Sequence, residues 1–476
     1  MGNKRIMKLF KRPKCLTEAV ASVIILNHLM GVRAFEYPRG RPRPILSLIY
    51  LLLLYCLYYV GFRHLEEEYY LSIKLLKLEY FLYKMLDYIV AYLIIIKLLL
   101  GWYYTKKFKA CYRKISDIDE TLRQLGATVN YNKIYFITIG VLVIWFSFTF
   151  FACVVVYIVM RAHSDAYRTV GSIVVYSYSM AVSSVIIFEF YIFVKCVLTR
   201  FELINQLLHE SSSVSLAKEI KLGCFEMQDY VKIINVDQQK SLYSMNILSH
   251  CCRQLHHRKN ITVSEKQNSI KSNFSSYFQK QSQGELRNRK HNFVMTKCQR
   301  RKYLLQTTKQ VHLELCKLSK TLCIIFGVQT ACEIGVIIMF LTGVGYNLYT
   351  RYFSQGHQSF TNSLMQQLTV TILMSGIQFL KITCLSRVCK RAADEGNKTI
   401  ELVYSIYGCD TKSGVQEEIQ QFGLQILQCP VRFSAYGISL DNHVLTMMLR
   451  IVTTYLVIMV QVSNSLESNK TITNVT

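Results

Sequence analysis

Glu333 stands in the middle of an apolar run, CIIFGVQTACEIGVIIMFLTGVGY, with no basic residue near it in sequence. An ionised group in such a run costs several kcal/mol unless it is paired or hydrated, so its spacing asks for a polar contact from another helix or from a ligand. Asp87 lies one turn from Lys84 in a second apolar run, where self-pairing and ligand contact are both open. A third constellation is a stripe. At 100° per residue, Arg450, Thr454, Val457 or Ile458, and Gln461 fall within about 60° of one line on a helix. Hydroxyl and amide layers with an aliphatic layer between them can solvate a passing cation and close by dewetting; the same groups can also form interhelical hydrogen bonds in an ordinary bundle. Arg450 at the foot of that stripe would repel cations, and snorkelling to inner headgroups relieves it. No nucleophile elbow, phosphate-binding glycine loop or metal-ligand spacing is present, so neither an enzyme nor a cofactor is expected. The adjacent His250, Cys251, Cys252, His256 and His257 lack finger-type spacing and suggest no metal site.

These residues need elements to hold them. The chain has 476 residues, is 51% hydrophobic and carries a formal charge of +26. A soluble domain is less apolar and a nucleic-acid binder more polar, so apolar blocks in lipid and basic blocks outside it satisfy both numbers. Seven blocks are long enough to span: 45–62, 81–104, 134–160, 170–198, 322–346, 365–386 and 443–463. All five prolines lie outside them, which predicts regular helices with every backbone group paired internally. The fold class is therefore all-α and polytopic.

Lys and Arg number 44 in the segments placed inside and 7 in those placed outside; without the long loop after span 4 the ratio is still 23 to 7. This puts the N-terminus in the cytoplasm and the C-terminus outside. None of the 16 cysteines falls in an outside segment, as expected of a plasma-membrane protein without disulfides. The domains follow: a cytoplasmic segment 1–44, spans 1 to 4 over 45–198, and a cytoplasmic loop 199–321 with helical ends and a disordered basic insert at about 256–300. Spans 5 and 6 occupy 322–386. A cytoplasmic region 387–442 holds an amphipathic helix at 414–429 with Ile419, Phe422, Ile426 and Cys429 on one face, the last span is 443–463, and an outside tail is 464–476. Asn469 and Asn474 in that tail are weak glycosylation acceptors. The inner-face charge implies membrane lipid as a partner rather than nucleic acid.

The last block carries a family likeness. Residues 453–462, TTYLVIMVQV, place Gln461 five apolar residues after Thr454-Tyr455, with Phe422, Gln425, Phe433, Ala435, Gly437, Leu440 and Asp441 leading in. This resembles the TYhhhhhQF motif and its lead-in in insect gustatory receptors, with Val462 standing where the family has Phe. The resemblance implies a ligand-gated, non-selective cation channel opened by a small-molecule tastant such as a sugar or bitter compound. It also implies a homo- or heterotetramer with other gustatory receptor subunits, the last helix of each lining one pore. Leu456 replaces the Glu that follows Thr-Tyr in members answering several sugars. The ligand site is then expected in the outer half of the bundle, with Asp87, Tyr88, Phe151, Tyr176, Glu333 and Gln367 as candidate contacts and Thr454, Val457, Ile458 and Gln461 in the pore. Aromatic faces and amides suit sugars and alkaloids alike, while packing and lipid-facing roles stay open for each. A seven-helix receptor coupled to G proteins would need the opposite orientation and an acidic-Arg-Tyr triplet after span 3; a transporter would show paired interrupted spans. Neither is found.

Overall fold

The computed structural model describes residues 13–34, 43–72, 77–161, 166–212, 297–350, 362–407 and 413–473. Residues 213–296 of the long loop, which hold the His250–His257 cluster and all of the basic insert but its last four residues, lie outside the described residues, as does Asn474; residues 297–300, expected in the disordered insert, are helical.

Two short helices, α1 (Leu16–Ala19) and α2 (Ala21–Leu29), precede the long ones. The spans follow as α3 (Pro44–Ser72), α4 (Lys77–Tyr103), α6 (Tyr131–Arg161), α7 (Ala166–Ser212), α8 (Lys297–Tyr349), α9 (Asn362–Tyr407) and α11 (His443–Thr473). Between them come the amphipathic helices α5 (Thr105–Gln124) and α10 (Ser413–Gln428). Six of the long helices contain windows apolar enough to cross a membrane, and α9 carries the sequence assigned to the sixth span. The protein is an all-α polytopic membrane protein.

Three helices outrun their lipid-facing sequence. α7, α8 and α9 continue without a break into the cytoplasmic portion, because no proline interrupts the backbone ladder and the apolar period carries on below the membrane. The predicted ends of the long loop are thus extensions of α7 and α8. α11 likewise runs on to Thr473, through most of what the sequence suggests is a free tail, because no Gly or Pro stops it.

The cytoplasmic core is where burial is deepest. Phe201, His312 and Phe422 meet there from α7, α8 and α10. Ile419, Phe422 and Ile426 are buried, so the face predicted for α10 docks against the lower halves of α8 and α9. Lys309 bonds Glu418 at 2.7 Å and Gln306 bonds the same carboxylate at 2.6 Å, fixing the register of α10 on α8. Burial pushes the Glu418 carboxyl up, but the lysine and glutamine bonds outweigh it and hold the group below its ordinary range.

Residues 13–34 of the first segment pack against the bundle. Val20, Val23 and Leu26 are buried where α1 and α2 meet α6 and α7. Arg33 reaches Glu189 in the inner half of span 4, stacks 3.0 Å from the Phe108 ring centre and bonds the Gly101 carbonyl. Gly101 is required there: a Cβ would stand 2.3 Å from the Val32 carbonyl oxygen.

Candidate functional site

Two places gather the polar groups of the membrane portion. The first is α11. A two-strand hairpin, β1 (Ser434–Ala435) and β2 (Ile438–Ser439), aims this helix. Its turn residues Tyr436 and Gly437 have φ of 49° and 91°, the left-handed pair of a tight hairpin turn, which explains the glycine of the lead-in. Phe433, Ala435 and Leu440 anchor the hairpin in the core. The Asp441 carboxylate then accepts the His443 amide at 2.8 Å and starts the helix.

Within α11, Val444 and Met448 are buried, Leu456 rests on Gly345, and the Tyr346 hydroxyl bonds Ser463 at 3.0 Å. That stripe is the side turned to the protomer. Arg450, Thr454, Val457, Ile458 and Gln461 are all exposed, with Val457 and Ile458 at 55% and 46%. The four residues singled out by spacing therefore share the face turned away from the rest of the chain. The Thr454 hydroxyl is occupied in part, donating to the Arg450 carbonyl one turn back at 2.9 Å.

The second place is a cavity among α6, α7 and α9. Its walls are Trp145, Phe148, Cys153 and Val156 from α6, Ile173, Ser177, Met180 and Ser184 from α7, and Ile377 from α9. Its free volume is about 40 Å³, room for a few waters at most, and it is partly open to the surroundings, so a larger ligand enters only as the walls part. On the outward-running α6 and the inward-running α7, these residues occupy the outer half and the middle of the bundle. The few polar groups are hydroxyls and a thiol: Cys153 and Ser177 contact each other at 3.1 Å.

Behind Ser184 lies a buried charge cluster. Lys97 on α4 bonds Glu333 on α8 at 2.5 Å and the Ser183 hydroxyl at 2.6 Å. Lys381 on α9 stands 3.6 Å from the other Glu333 oxygen and donates to the Ser184 hydroxyl oxygen at 3.2 Å. Gln329 donates to the Lys97 carbonyl, closing the cluster. Glu333, without a partner in its own sequence neighbourhood, thus has two from other spans. One turn from Lys381, the Oε1 of Gln378 is buried with no hydrogen-bond partner among the described residues, and its amide nitrogen faces the Met180 sulfur.

The ligand candidates drawn from sequence do not converge. Phe151 is exposed and lies a third of a turn from the cavity wall at Ala152. Tyr88 is half-exposed and meets Phe62 edge-on, 5.9 Å between centres, and Asp87 is half-buried on the same helix; neither lines the cavity. Tyr176 sits on α7 between two wall residues and Gln367 near the start of α9, but their side chains lie outside the described residues. What sequence missed is Trp145, Phe148, Met180, Ser184 and Lys381. Lysines inside spans were the one signal available, since each buried ammonium demands a counter-charge.

A bundle of long apolar helices, with the last one packed along a single stripe, defines a multi-pass membrane protein. The chain belongs to the 7tm chemosensory receptor family, which it matches over residues 28–263 and 240–464. The insect olfactory receptor OR5 from Machilis hrabei, a solved structure, has a similar fold: 11% identity, TM-score 0.54, covering 94% of this chain and 98% of that one. No curated protein matches the sequence. Membership places the chain among receptors of insect type rather than enzymes.

Proposed function

We propose that this chain is a gustatory-type receptor of the plasma membrane, a subunit of a ligand-gated, non-selective cation channel. Four subunits enclose the pore, each contributing α11, and a small tastant in the α6–α7–α9 cavity opens it. The observation that carries this reading is the orientation of α11. Its conduction-type residues Thr454, Val457, Ile458 and Gln461 all face away from the protomer, while only its opposite stripe is packed. Apolar side chains exposed along a membrane helix fit lipid, but Thr and Gln layers beside them gain by facing one another across a hydrated axis. The cavity favours bitter-type over sugar ligands: Trp145, Phe148, Val156, Ile173 and Met180 offer an apolar bed and few hydrogen bonds to a polyol. Tyr176 on α7 and Gln367 on α9 belong to helices that wall the cavity, Asp87 and Tyr88 on α4 do not, and Glu333 acts from beneath it by holding Lys97 and Lys381.

The test is current recording from oocytes expressing the chain, alone and with related subunits, against sugars and bitter compounds. Gln461→Ala is expected to change the reversal potential in mixed cation solutions or the agonist concentration for half-opening, with surface labelling near normal. Currents identical to those of the unmodified chain would take Gln461 out of the ion path.

A further inference from the structure

The charge cluster beneath the cavity does not balance. Two ammoniums, Lys97 and Lys381, face one carboxylate, Glu333, and among the described residues neither lysine has another ion-pair partner. Lys97 takes the closer position at 2.5 Å, and Lys381 is left at 3.6 Å. With both lysines protonated the cluster carries one excess positive charge inside a membrane bundle, which is costly when the site is empty and is relieved by an anion.

The route to that charge runs through one hydroxyl. Ser184 is at once a wall of the cavity and the acceptor of the Lys381 ammonium at 3.2 Å. With one oxygen lone pair engaged by the lysine, the hydroxyl is free to donate its own proton to a group in the cavity, polarised by the charge behind it. A negatively charged oxygen there meets a charge-assisted donor, and a shift of the flexible lysine side chain brings the ammonium itself into reach. The remaining walls, Trp145, Phe148, Val156, Ile173, Met180 and Ile377, are chemically matched to an aromatic or medium-chain aliphatic body, which must spread α6 and α9 from α7 to enter.

We propose that the cavity recognises small carboxylate ligands, with the apolar body against α6 and α7 and the carboxylate on the Ser184 hydroxyl and the Lys381 ammonium. The inference rests on the receptor reading above and names the ligand class of that site.

The chain has two tryptophans, and one of them, Trp145, lines the cavity. In full-length protein purified in detergent and carrying Trp102→Phe, fluorescence therefore reports on the cavity. The probes are phenylacetate and octanoate, each beside its neutral amide. Saturable changes are expected from the acids at concentrations about tenfold below those needed for the amides. Lys381→Met and, separately, Lys97→Met each leave one lysine opposite Glu333, a balanced pair compatible with folding. Both are expected to erase the acid preference while leaving amide binding within about twofold. Ser184→Ala keeps the charge and is expected to weaken the acids alone. Equal binding of acids and amides, an acid preference that survives both lysine substitutions, or no saturable response to the acids would each overturn the proposal. Saturable binding by amides only would refute it while leaving the cavity as a neutral-ligand site, and the Gln461 recordings judge the channel reading separately.

Discussion

Two buried side chains show how single residues carry charge against a low-dielectric surrounding. Glu333 neutralises lysines from α4 and α9, so removing its charge leaves two buried ammoniums facing each other. Breaking a buried pair typically costs about 3–5 kcal/mol. Glu333→Gln is expected to lower the thermal transition of the purified protein and its delivery to the surface, and adding Lys97→Met should recover part of both. A transition unmoved by Glu333→Gln would show that the cluster contributes no stability. His312, in the cytoplasmic half of α8, gives the opposite sign. Its Nε2 proton goes to the Gly396 carbonyl at 3.0 Å, its other ring nitrogen meets the Cys316 thiol, and desolvation pushes its pKa down to about 4. An unfolded histidine takes up its proton near 6.5. The folded ring resists that proton, so stability is full above about 6.5, falls as pH drops below it, and levels off below about 4. The total loss is roughly 3 kcal/mol. Melting measured from about pH 7 down to about pH 5 should show the decline, and His312→Gln, which keeps a donor without titrating, should flatten it.

Among the elements, the hairpin before α11 has the sharpest local requirement. Gly437 sits at φ 91°, where a side chain is strained by roughly 1–2 kcal/mol. Gly437→Ala is expected to destabilise by about that much and to disturb gating, since the turn aims α11; equal melting temperatures and currents would show that the hairpin does not set the helix direction. The spans were legible in the sequence because lipid demands long apolar runs, and the buried face of α10 because Ile419, Phe422 and Ile426 repeat at the helical period. Packing partners were not legible. Glu333 and Lys97 are 236 residues apart, and nothing local in either run announces the other. The cavity was hidden for a related reason: which of Phe148 and Phe151 lines it depends on the rotation of α6 against α7, which an apolar all-round helix does not encode. The Thr454–Gln461 stripe was readable because polar residues on an otherwise apolar helix mark one direction.

For the whole molecule, two surfaces await covering. One is the outer face of α11; the other is on α10, where Leu424 and Leu427 are 54% and 62% exposed on the side opposite the docked stripe, in the cytoplasmic portion where lipid cannot shield them. If four copies assemble as proposed, α10 supplies a contact below the membrane. Leu424→Lys with Leu427→Lys is then expected to shift the detergent-solubilised receptor from tetramer toward monomer on size exclusion with light scattering. An unchanged mass would assign the contact elsewhere.

α8 and α9 run for 53 and 46 residues without a break, roughly 80 and 70 Å at 1.5 Å per residue. Neither helix contains proline, and below the Ser375-Gly376 pair α9 has no further Gly/Ser pair at which a tilt can dissipate. A displacement beside the cavity at Ile377 therefore travels as a lever stroke along α9 to its docking with α10, and the cytoplasmic end must swing, strain its packing or hold the outer end still. If ligand and neighbouring subunits bind where proposed, chemical sensing on one side of the membrane is mechanically tied to the grip between neighbours on the other, and a flexible Gly-Gly pair inserted below Ser386 would act as a clutch, letting ligand bind without turning the machine.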